Sequence, residues 1–193
     1  MKKKNQGFTL IEMVIAVSIL AILLGMLSMS LNPVIGFRVQ RASGSIQAAI
    51  AKTRIEAMSR LVGEMKLERK ADGFYISYYL DRGKNSGVKE EQPEKISPAG
   101  VKISYMTDAG EEVDLNTPGD FLILTFDRET GGFREIQTGV LDQTEIDAFL
   151  NSNQNISFKD SGKRCSAILI RGGSHTKRIT LCQATGEVDV EEL

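Results

Sequence analysis

From Phe8 to Leu31 the chain reads FTLIEMVIAVSILAILLGMLSMSL, 24 residues with a single charge, Glu12. As a helix rising about 1.5 Å per residue, such a run matches a hydrocarbon core roughly 30 Å thick, so the pattern predicts a membrane-inserting segment over 8–31. Lys2, Lys3 and Lys4 precede the run, and the first positive charge after it is Arg38. That bias holds the N-terminus in the cytoplasm and exports everything beyond the helix, leaving a single-pass protein. A secretory signal peptide begins in the same way, and Ser28 and Ser30 offer a small-x-small cleavage site. Against it, the apolar run exceeds an h-region of about 7 to 15 residues and carries a carboxylate near its start.

The period then changes. After Pro33 and Gly36, apolar or small residues recur at Val39, Ala42, Ile46, Ile50, Thr53, Ala57 and Leu61, a spacing of three and four that lays one stripe along a helix. Residues 32–62 are therefore expected to continue the helix amphipathically, with the stripe packed on a head domain and Pro33 a place for a kink or brief interruption. The small Ala42, Thr53 and Ala57 argue against a free coiled coil.

Beyond Gly63 the pattern shortens to runs of β-branched and aromatic residues separated by Gly, Asn, Asp and Pro, the signature of an antiparallel β domain over 63–193. Expected strands are Glu64 to Lys70, Phe74 to Leu80, Val101 to Met106, Phe121 to Phe126, Phe133 to Gln137, Cys165 to Arg171, Arg178 to Gln183 and Glu187 to Val190. Asp72-Gly73, Thr130-Gly131-Gly132 and Thr185-Gly186 supply turns. The polar stretch from Asp81 to Pro98 reads as a long loop. A short helix runs to Leu150 with Asp142 or Thr144 as its N-cap. The predicted fold class is α+β: a long N-terminal helix followed by an antiparallel head.

The formal net charge of −1 conceals a polarity. Residues 38–70 hold eight Lys/Arg against three Glu, whereas 71–193 hold 13 Lys/Arg against 21 Asp/Glu, so the exported head carries about −8. A binder whose affinity comes from neutralising phosphates needs the opposite sign, and direct nucleic-acid binding is not expected.

The segment Lys4-Asn5-Gln6-Gly7-Phe8-Thr9-Leu10-Ile11-Glu12 joins a short basic leader, a glycine, a phenylalanine, Thr-Leu-Ile-Glu and the apolar run. This resembles the N-terminal signal of type IV pilins and type II secretion pseudopilins. The resemblance implies that residues 1–7 are a leader, removed between Gly7 and Phe8 by a prepilin peptidase that also N-methylates Phe8. Because the cut precedes the apolar run, the helix survives maturation. A carboxylate at a bilayer centre costs about 2.5 to 3.5 kcal/mol on insertion scales and calls for a partner. The resemblance supplies one: Glu12 pairs with the amino terminus of a neighbouring subunit during assembly. Snorkelling, or favourable electrostatics at the helix N-terminus, is the alternative. Major pilins commonly carry a proline inside the apolar run, and this chain has none there.

The run Leu122-Ile123-Leu124-Thr125-Phe126-Asp127, the Gly-Gly turn and the closing Ala184-Thr185-Gly186-Glu187-Val188 resemble the heads of H-type pseudopilins and related minor pilins. In the head, a four-residue turn Gly172-Gly173-Ser174-His175 pairs Arg171 with Thr176, which sets Cys165 opposite Cys182 and Ile168 opposite Ile179. In an exported domain that register predicts a cross-strand disulfide, with free thiols expected in a reducing habitat. Two cysteines and one distant histidine match no metal-ligand spacing, and His175 on a turn tip is poorly placed for catalysis. Asp108-Ala109-Gly110-Glu111-Glu112-Val113-Asp114 lacks the spacing of a calcium loop and reads as a solvated turn.

No cofactor, metal or catalytic constellation is expected. The resemblance implies a minor pilin or pseudopilin in a type IV pilus or secretion-like filament. Its partners would be the prepilin peptidase, other pilin or pseudopilin subunits, an inner-membrane assembly platform and membrane lipid. An adhesin or substrate-recognition head that binds through residues 81–98, and a competence pseudopilin serving DNA uptake, are the alternatives.

Overall fold

The computed structural model describes residues 9–28, 31–60, 62–81, 89–90, 92–152 and 158–193. The chain divides into two compact units, Met1–Val34 and Ile35–Leu193.

In the first unit, helix α1 (Leu10–Ser28) is 19 residues long and apolar on every face, with Glu12 its one charge. At about 1.5 Å per residue it measures roughly 28 Å. Of the expected span, Phe8, Met29 and Ser30 lie outside the described residues. Among the described residues, no helix is long and apolar enough to cross a membrane.

Helix α2 (Leu31–Ser59) takes Pro33 within its first turn, where the N–H that proline lacks would have had no intrahelical acceptor. Its stripe is buried as the spacing predicts: Val39, Ala42, Ile46, Ile50, Thr53 and Ala57 are inaccessible or nearly so, and Ala49 joins them. Leu61 lies outside the described residues. Thr53 is accommodated because its hydroxyl donates to the Ala49 carbonyl at 2.8 Å. Burying a Val or Ile side chain contributes about 1.5 to 3 kcal/mol, so Val39, Ile46 and Ile50 do most to hold the helix on the head.

The head is antiparallel throughout. β1 (Val62–Lys70) and β2 (Gly73–Asp81) form a hairpin. Then follow β3 (Lys89–Glu90), β4 (Glu94–Pro98), β5 (Lys102–Thr107), β6 (Glu112–Asp114) and β7 (Phe121–Thr125). Helix α3 (Gln143–Ser152) separates these from β8 (Cys165–Gly172), β9 (His175–Leu181) and β10 (Val188–Glu192). One sheet has the order β3-β2-β1-β7, with β4 also on β2; the other has the order β10-β9-β8-β5-β6. The α2 stripe forms one continuous core with residues of both sheets, among them Met65, Leu67, Phe74, Leu122, Leu124, Ile103, Ile168, Ile170 and Ile179.

Three expectations for the head are corrected. The stretch 81–98 is not all loop, because β3 and β4 both pair with β2. Those strands are short and carry Lys89, Glu90, Glu94 and Lys95, the charged composition of edge strands, which hides them from a search for apolar alternation. Phe133 to Gln137 is not a strand; it meets the sheet at single bridges, Phe126 with Phe133 and Ile123 with Gln137. The acidic turn is partly a strand, β6, whose carboxylates have partners: Glu112 accepts from Ser104 Oγ and pairs with Arg171, and Glu111 pairs with Lys163 at 2.7 Å. Asp142 is the N-cap of α3, taking the Glu145 N–H at 2.9 Å while Glu145 reaches back to the Asp142 N–H at 2.8 Å, a reciprocal capping box.

The β8–β9 register is as expected, with Arg171 opposite Thr176 and Ile168 opposite Ile179. The turn is tighter than expected: Gly172 pairs with His175, leaving Gly173 and Ser174 as the two turn residues, with Gly173 at φ +58°. His175 is therefore the first residue of β9, not a turn tip. This end of the hairpin presses on α2. A Cβ on Gly172 would lie 2.7 Å from Val39 Cγ2 and 2.9 Å from Ile35 Cγ2, and a Cβ on Gly36 would lie 2.8 Å from His175 Nε2.

Candidate functional site

The candidate site is the beginning of α1. Thr9 immediately precedes the helix, and Glu12 is its third residue. The Thr9 N–H and the Thr9 hydroxyl each donate to Glu12 Oε2 at 2.8 Å, and the Glu12 N–H approaches Thr9 Oγ1 at 3.4 Å. Thr-Leu-Ile-Glu is thus a capping box, in which the side chains of the cap and the third residue satisfy each other's backbone donors. Thr9 was legible through its spacing from Glu12, yet as a structural partner of that carboxylate it is a residue the sequence reading missed.

The box fixes Glu12 at the end of the helix where amide donors and the positive end of the dipole favour an anion. Both bonds from Thr9 end on Oε2, and among the described residues no donor meets Oε1. Along the rest of α1 the large side chains are uncovered: Leu10, Ile11, Met13, Val14, Ile15, Val17, Ile19, Leu20, Ile22, Leu23 and Leu24 are all more than half exposed. A helix that is apolar all round needs surroundings of the same kind, either lipid or other helices. The site therefore joins one accessible carboxylate to an apolar rod, an arrangement suited to recognition and packing.

Residues 2–28 match the model of the prokaryotic N-terminal methylation motif. That match supports a type IV pilin-like precursor. It implies a membrane-anchored precursor, processing by prepilin peptidase, and assembly with other pilin subunits into a filament. Proteins of this kind are generally structural rather than enzymatic. An N-terminal helix followed by antiparallel sheets, an α+β arrangement, is consistent with the pilin-like fold. No curated protein and no solved structure gives a significant match to the chain. Gly7 and Phe8, the expected cleavage pair, fall within the matched span and outside the described residues.

The other expected site, the disulfide, is not formed: Cys165 is buried and Cys182 exposed, both free. The reason is a bulge. In the β5–β8 ladder Met106 pairs with Ala167 and Thr107 with Cys165, leaving Ser166 as the extra residue. One extra residue reverses the alternation of side chains. Cys165 is thereby turned to the core face that carries Ile168 and Ile170. On the partner strand Leu181 is in the core and Cys182, next along, points outward. Burial pushes the Cys165 thiol up to about 12. Hydrogen bonds from the Thr185 side chain and backbone lower that of Cys182.

His175 lies beside Glu192, with Nδ1 at 3.8 Å from Oε1, and packs on Gly36. Its place is structural, at the contact between hairpin and helix.

Proposed function

We propose that the chain is a minor pilin or pseudopilin. It is cut between Gly7 and Phe8, N-methylated on Phe8, and assembled through α1 into a type IV pilus or type II secretion-like filament with its acidic head outside. The match of residues 2–28 to the methylation motif carries this reading. Two further features support it. The Thr9–Glu12 box holds one carboxylate oxygen and leaves the other for a donor, which suits pairing with the Phe8 amino group of a neighbouring subunit. The head, an amphipathic helix packed on two antiparallel sheets, suits the H-type pseudopilin likeness read from residues 38–193.

Intact-mass and N-terminal peptide analysis of protein expressed with and without a prepilin peptidase tests the proposal. The expected product begins at methylated Phe8, and only when the peptidase is present. A mature N-terminus elsewhere, or the same product without the peptidase, sinks it.

A further inference from the structure

Along β1, Met65 and Leu67 face the main core, so Val62 and Glu64 face the opposite side of the sheet. There Val62 joins Leu141, Ile146 and Phe158 in a second, smaller cluster beneath α3. Glu64 is wholly inaccessible, a carboxylate at the joint between the sheet and this helix. Its Oε2 accepts the Leu141 N–H at 3.0 Å, and its Oε1 is buried without a partner among the described residues. A buried polar atom with no partner costs about 1 to 3 kcal/mol and calls for an explanation.

The groups around it are few. Tyr79 of β2 and Thr125 of β7 are opposite Glu64 in the ladder, and the Thr125 hydroxyl is committed to the Gly63 carbonyl at 2.9 Å. From the α3 side come Glu145 and, from the returning chain, Lys159, which pair with each other at 3.0 Å. Lys159 also donates to the Val140 carbonyl at 3.0 Å. Among the described residues, no cation is therefore dedicated to Glu64.

We propose that Glu64 is a proton-operated latch, fastening α3 to the sheet through the Leu141 turn when neutral and loosening it when ionised. The Leu141 N–H places the carboxyl against the turn two residues before α3 and in the same small cluster, and the charge buried there on ionisation is what loosens the joint. Burying the neutral acid there costs less than burying the anion, one of whose oxygens has no donor among the described residues. Burial raises its pKa to about 7; the Leu141 N–H and Lys159 oppose that rise, and Glu145 adds to it. The folded value is above the ordinary glutamate value of about 4.3. The stabilising contribution is thus complete below that ordinary value and is lost as pH rises through about 7. The switch is independent of the filament reading and would operate in the head whatever α1 does.

Hydrogen exchange of the full chain in detergent micelles, followed by mass spectrometry between pH 5.5 and 8.5, tests the latch. Rates are corrected for base catalysis of exchange itself. For the peptide spanning Leu141 to Ala148 the corrected rate should rise by up to about tenfold per pH unit from pH 5.5 to about 7, the slope of one linked proton, and level off above it. Glu64→Gln should make the profile flat throughout. Glu145→Gln, which keeps the capping-box acceptor but removes a repelling charge, should move the pH at which the rise levels off downward. A flat wild-type profile, a rise that persists in Glu64→Gln, or an unmoved plateau in Glu145→Gln overturns the proposal.

Discussion

Substituting Gly172 by alanine measures how firmly the β8–β9 hairpin grips α2. The new Cβ would lie 2.7 Å from Val39 Cγ2 and 2.9 Å from Ile35 Cγ2, whereas carbon atoms in ordinary contact are about 3.5 to 4.0 Å apart. Val39 is fully buried, so neither side has room to yield. Overpacking of this kind costs about 1 to 3 kcal/mol, against which alanine regains some 0.5 to 1 kcal/mol by restricting the unfolded chain. The net loss is at most about 2.5 kcal/mol. For a domain of about 150 to 250 residues that is a fall in Tm of up to roughly 10 °C. Val39→Ala alone removes two buried carbons and costs at least about 1.6 kcal/mol. It also clears the nearer clash. The double variant should therefore be at least about 0.5 kcal/mol more stable than the two single losses predict. Thermal unfolding of the four proteins in the same detergent, read by near-ultraviolet circular dichroism, completes the cycle. Additive losses would show that hairpin and helix do not touch as described.

Two other outcomes follow from the same structure. Glu12→Gln keeps an acceptor for the Thr9 donors but removes the charge, so it should be cleaved normally and enter filaments poorly, while Thr9→Ala should be incorporated normally; equal incorporation of Glu12→Gln and wild type in sheared filament fractions would remove the assembly role of Glu12. Without reductant, iodoacetamide should add one label to the native protein at Cys182 and two to the denatured protein, because Cys165 is buried; failure to label either cysteine under denaturing conditions would reveal a disulfide and refute the register at Ser166.

Where local spacing and burial agree, the fold was legible. The seven-residue stripe from Val39 to Leu61 identified the helix, and all six described members are buried. The facing of Ile168 and Ile179 fixed the β8–β9 register. Illegible parts depended on neighbours distant in the chain. Ser166 looks like any strand residue, and only pairing with β5 makes it the extra one and sends the two cysteines to opposite sides. The edge strands β3 and β4 are short and written in charged residues, a composition common at the edges of sheets. Phe133 and Ile136 are buried as a strand would be, but single bridges replace a ladder there. At the candidate site the Thr-Leu-Ile-Glu spacing contained the capping box, although transmembrane energetics drew attention to Glu12 and away from Thr9. Glu64 gave no warning: only α3, almost 80 positions later, removes it from water.

The position of β8 in the interior of its sheet also sets an order of events during folding. The β1–β2 and β8–β9 hairpins close through turns of two residues and need nothing from the rest of the chain. Pairing β5 with β8 joins Lys102 to Arg171, and pairing β1 with β7 joins Glu64 to Thr125. Each of these closes a loop of about 60 residues or more, whose entropy must be lost before the contacts form. Val39 of α2, which meets β8 at Gly172, thus waits uncovered until the ribosome has released β8. Helix α1 closes no such loop and needs no such delay.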